Sequence, residues 1–137
     1  MKKPTKIELS LVTDDIKEHR YRSIDDWFDP IIGKDKIIHF ITMTADTGNM
    51  DYNFLVLIHA LVEQYLCYKH GITDEQVTGF DMQNPELDDP GAELNAPYHL
   101  EHNVANTIEA ELSVALGVEW KKYEEAIEKT LAKYKYK

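Results

Sequence analysis

Residues 51 to 69, DYNFLVLIHALVEQYLCYK, constrain this chain more than any other stretch. Leu55, Ile58, Leu61, Val62, Tyr65 and Leu66 recur at helical spacing and predict one broad apolar face. The turn TADTGN precedes the run, with Asn49 or Asp51 available as cap, and Gly71 is a natural stop. A helix of that length extends about 28 Å at 1.5 Å per residue, so the rest of the fold must cover it. His59 and Glu63 interrupt the run four positions apart, which places them on one helical face one turn from each other.

The flanking segments supply the cover. KIELSLV, residues 6 to 12, alternates Ile7, Leu9 and Leu11 with polar residues, predicting a half-buried strand. Between residues 13 and 34, Ser23 with Asp26 suggests a short capped helix ended by Asp29-Pro30. KIIHFITMT, residues 36 to 44, is β-branched and aromatic and predicts a second strand. Thr73 and Gln76 form a capping-box pattern that opens a short helix to about residue 79. Residues 81 to 97 carry prolines and acids and predict a long exposed loop. Pro97 then opens a helix to Leu116, with Val104, Ile108 and Ala115 inward. The last helix, from about residue 118, is expected to bury Trp120, Ile127, Leu131 and Tyr134. The expected architecture is α+β: one domain over residues 1 to 137, with a small N-terminal antiparallel sheet of two or three strands packed against three main helices.

Composition narrows the function. The formal charge is −10, and the eleven acids between Lys69 and Lys121 meet no Lys or Arg. That field argues against nucleic acid, which requires basic contacts to phosphate, and suits a cation or a protein partner on the acidic face. The longest apolar run is too short for a bilayer, no secretory pattern is visible, and Cys67 has no partner thiol. A soluble cytoplasmic protein is the expectation; its oligomeric state is not written in the sequence.

A second polar constellation lies in PYHLEHNVANTIEAEL, residues 97 to 112. His99 and His102 are one turn apart, Asn106 follows on the next turn, and Glu109 lies two turns beyond His102. If the two long helices pack side by side, His59, Glu63 and His102 meet around one ion, with His99 as a further ligand candidate. Glu101, Asn106 and Glu109 are candidates for the surrounding shell. Two imidazoles and a carboxylate suit a divalent transition metal, zinc first, and leave a position open for water. The competing reading is a set of buried hydrogen bonds joining two helices. His19 and His39 are expected to be structural, and His70 a helix C-terminal cation. The segment DMQNPELDDPG lacks the ligand spacing of a calcium loop. Neither a phosphate-binding glycine loop nor a Ser or Cys nucleophile with a convincing base is present.

The stretches YNFLVLIHALVEQYLCYKHGI, GFD, DDPGAELNAPYHLEH, IEAEL and LGVEWKKYE resemble a family of small uncharacterised proteins of phages and bacterial genomes, over about residues 36 to 124. The family pattern is H-E-L-V-E with a downstream Pro-Tyr-x-x-Glu-His segment, and its helix is similar to the active helix of zincin-type zinc peptidases. The resemblance implies His59 and Glu63 as ligands, with His102 downstream and His99 in reserve. It departs at Ala60, where a zincin carries the general-base Glu. The chain therefore reads as a zincin-like metal protein, a degenerate or inactivated metal-dependent hydrolase. The alternative is a non-enzymatic acidic accessory protein that binds or inhibits a host partner.

Overall fold

A computed structural model describes residues 3–136. The centre of its sheet is strand β4 (Ile37–Ala45), which follows β1 (Lys6–Asp14), β2 (Asp25–Trp27) and β3 (Ile31–Ile32). Pleat alternation sends Ile38, Phe40, Thr42 and Thr44 into the interior and leaves Ile37, His39, Ile41 and Met43 on the outer face. β1 pairs with β4 in parallel, Lys6 beside Ile37 through Asp14 beside Ala45. β2 and β3 pair antiparallel with successive lengths of its other edge. The sheet is thus four-stranded and mixed rather than antiparallel. The physical reason lies in residues 15 to 36, which hold two strands too short to show a period and return the chain so that β4 runs along β1. Trp27 therefore ends a strand, where the sequence suggested a short helix.

Helix α1 (Met50–His70) lies across the inner face of the sheet. Asn49 accepts from the Tyr52 N–H at its start, and Gly71 ends it at φ 74°, where only glycine sits without strain. Gln64, fully buried, ties the helix to the sheet: its carbonyl accepts from Thr42 Oγ1 at 2.6 Å, and its amide donates to Phe28 O and Ile41 O at 2.9 and 3.0 Å. β1 is not the half-buried strand expected: Ile7, Leu9 and Leu11 are all exposed, and no residue of this edge strand is buried.

Helix α2 (Asp74–Gln83) begins with the Thr73/Gln76 capping box and runs past residue 79 into the segment expected as loop. The remainder of residues 81 to 97 is only partly exposed. A 3-10 turn at Pro90–Ala92 buries Gly91, and Ala96 and Tyr98 are buried further along the chain. Helix α3 (His99–Ala115) packs on α1 with the opposite face from the one expected. Glu101, His102, Ala105, Glu109 and Ser113 are buried, while Val104, Ile108 and Ala115 are exposed. Helix α4 (Trp120–Leu131) buries Tyr123 and Thr130 most deeply. Trp120 is 39% exposed, Ile127 and Leu131 are half-buried, and Tyr134 lies beyond the helix. No helix among the described residues is long and apolar enough to cross a membrane.

Candidate metal centre

The inversion of α3 arises from what its polar face meets. His59 and Glu63 project from the middle of α1 toward His102 in the first turn of α3. Glu63 Oε2 lies 2.9 Å from His102 Nδ1 and 3.4 Å from His59 Nε2. One ligand atom from each of the three residues falls within 4.8 Å of the others. The two imidazoles meet edge to face with centroids 5.0 Å apart. Trp27 Nε1 donates to Glu63 Oε1 at 3.2 Å, so β2 fixes the carboxylate from the sheet side.

Each imidazole is also held from behind. His59 Nδ1 lies 2.7 Å from Glu109 Oε1, and Tyr123 donates its hydroxyl to Glu109 Oε2 at 2.6 Å. His102 Nε2 lies 3.0 Å from Asp89 Oδ1, although the angle leaves the buried ring nitrogen without a good hydrogen bond. A carboxylate behind a ligating imidazole fixes its tautomer and strengthens it as a donor. Gly91 makes this packing possible. A Cβ at that position would stand 2.5 Å from His102 Cγ and 2.8 Å from Tyr98 Cε2, so any side chain would displace the ring.

The electrostatics follow from burial and pairing. Burial disfavours the Glu63 charge, but His102 and His59 outweigh it and hold the carboxyl down to about 2. Burial likewise disfavours the His102 cation, yet Asp89 and Glu63 push its pKa up to about 9. His59 is raised well above its ordinary value against burial, by Glu109 and Glu63. At Asp25 burial and the nearby Glu63 charge outweigh His59 and the Ser23 hydroxyl and push the carboxyl up to about 7. In the absence of an ion these groups make a proton-holding network, and both histidines must lose a proton before they ligate.

The remaining sequence candidates divide. Glu109 sits behind His59, and Asn106 lines the cavity beside the cluster. His99 does not join the three: its Nδ1 lies 3.0 Å from Gly91 O and its Nε2 accepts from Asn103, which turns the ring toward the loop. Glu101 is engaged instead by His70, at 2.6 Å, in a second bridge between α1 and α3. His19 is a buried structural residue between Asp14 and Ser23 O, and His39 contacts Glu8 on the outer sheet face. Trp27, Asp25, Asp89 and Tyr123 were not foreseen, since they come from β2, the loop before α3, and α4, and have no periodic relation to His59. Ala60 is fully buried in the apolar cluster with Trp27, Cys67, Val77, Ala96 and Tyr98, so a carboxylate there would enter packed core. No family model, curated protein or solved structure matches the chain.

Proposed function

We propose that this protein binds a divalent transition metal through His59, Glu63 and His102, with zinc the best match to two imidazoles and one carboxylate. One observation carries the reading: both imidazoles aim one nitrogen at the Glu63 carboxylate while a carboxylate, Glu109 or Asp89, faces the other. An ion in this setting would act as a Lewis acid and lower the pKa of a bound water. The chain's own residues supply the ligands and their orientation but place core packing at position 60, where a zincin-type base would stand. The reading is accordingly a metal-binding protein of zincin-like form, a metal-dependent hydrolase without its usual base.

The test is elemental analysis of protein purified without chelator or affinity metal, beside a His59→Ala, His102→Ala variant. About one equivalent of metal in the native chain, absent from the variant, is expected. Metal in neither sample sinks the reading and makes the cluster a hydrogen-bonded clamp between α1 and α3. A second reading draws on the exposed acids Glu75, Glu86, Asp88, Glu93 and Glu111, a surface suited to docking a basic protein partner. Its mark would be a partner whose capture weakens steeply with salt; salt-independent capture would exclude this field as the cause.

A further inference from the structure

The three ligand atoms border a cavity of about 590 Å³ whose lining carries ten Asp and Glu against Arg22, the proton-holding His59 and His102, and no Lys; Glu63, Glu109 and Asp89 are taken up by those two histidines. Part of that charge is spent inside the protein. Arg20 pairs with Asp26 and Asp74, and the hydroxyls of Tyr21 and Tyr98 donate to Asp81. Asp25, Asp88, Glu124 and Glu128 make no ion pair among the described residues. The first lines the cavity close to the cluster, and the other three are exposed around it. The same walls carry aromatic rings, Tyr21, Trp27, Tyr98, Trp120 and Tyr123, and a short apolar strip of Val56, Ile127 and Leu131.

We infer that this cavity receives a small organic cation, an alkylammonium on a methylene chain. Unpaired carboxylates favour the ammonium, aromatic faces add cation–π attraction, and the apolar strip covers the methylenes. A phosphate or a free carboxylate would meet repulsion from the four carboxylates that make no ion pair. Burial first, and the Glu63 charge beside it, raise the Asp25 and Asp81 carboxyls to about 7 and about 6, even though His59 and His102 act in the opposite direction. The inference goes beyond the metal reading, because the lining carries it whether or not an ion sits at His59.

Calorimetric titration of the full chain with diaminooctane, octanediol and octanedioate tests it, since the three probes share a chain length and differ in charge. Metal content is measured on the same samples, so that failure of the metal site and failure of the cation pocket are told apart. Binding of the diamine alone is expected. An Asp88→Asn, Glu124→Gln, Glu128→Gln variant should bind it about tenfold more weakly, the sum of three partly exposed charge contacts. A variant losing three acids elsewhere, Glu18→Gln, Asp51→Asn and Glu111→Gln, should bind within about twofold of the native chain, since charges beyond a Debye length are screened. Equal binding of octanediol, or equal weakening in the two variants, would overturn the inference by reducing it to packing or to overall charge.

Discussion

Replacing Glu63 with Gln keeps the shape of the side chain and removes the charge on which the centre turns. Glu63 is 4% exposed, accepts from Trp27, and faces two imidazoles at 2.9 and 3.4 Å. In chelated protein the change removes two charge-assisted contacts, each worth about 1.5–3 kcal/mol, and leaves buried imidazoles to give up their protons. Tautomer rearrangement recovers part of this, so a net loss of about 3 kcal/mol is expected. With an unfolding entropy of about 2.1 cal/mol/K per residue, the 137-residue chain should lose about 10 °C in Tm. Zinc provides the second arm. At a free concentration about 1,000 times Kd it should stabilise the native chain by about 4 kcal/mol, or about 14 °C, and the Glu63→Gln variant far less. Scanning calorimetry in chelator and in excess zinc reads both arms. A Tm loss under about 2 °C in chelator would refute the assigned pairing. An equal zinc-induced rise in both proteins would refute Glu63 as a ligand.

Three further outcomes are expected. Chelated protein should melt lower at pH 9 than at pH 6: the stability from protonated His102 is complete below the unfolded value of about 6.5 and disappears through its folded value of about 9. Asp25 and Asp81, raised to about 7 and about 6, act in the same direction at lower pH, whereas Glu63, held near 2, contributes throughout this range. Zinc should oppose the trend, because deprotonated imidazoles bind it better; a chelated Tm at pH 9 equal to that at pH 6 would contradict the shifts. Gly91→Ala should weaken zinc binding at least about tenfold in a competition titration, since its Cβ would collide with the His102 ring. Gly79→Ala, in open space within α2, should leave zinc binding unchanged and raise stability by about 0.5–1 kcal/mol. Ala60→Glu should destabilise by about 3 kcal/mol or more, through overpacking and burial of an unpaired carboxylate, and should not generate turnover. A well-folded Ala60→Glu protein that hydrolyses a peptide or ester would reverse that conclusion.

The sequence by itself determined what is local. Helical period, the Asn49 cap and the Gly71 stop define α1, the Thr73/Gln76 box opens α2, and four-residue spacing places His59 beside Glu63. It also singled out His102 as the residue across the helix pair and Glu109 as a neighbour. Tertiary structure decided how the elements are rotated and which distant residues complete the centre. Periodicity relates side chains within one helix but does not fix which face turns inward when both are partly apolar. On α3 the face bearing Glu101, His102 and Glu109 lies inside, since His70, Glu63 and His59 on α1 pair with it, while Val104 and Ile108 are left exposed. The same limit hid Trp27, Asp89 and Tyr123, which reach the centre from β2, the loop before α3, and α4. Their roles depend on the meeting of segments far apart in the chain, and that meeting is settled by pairing buried charge across elements, an energy no single element's pattern contains.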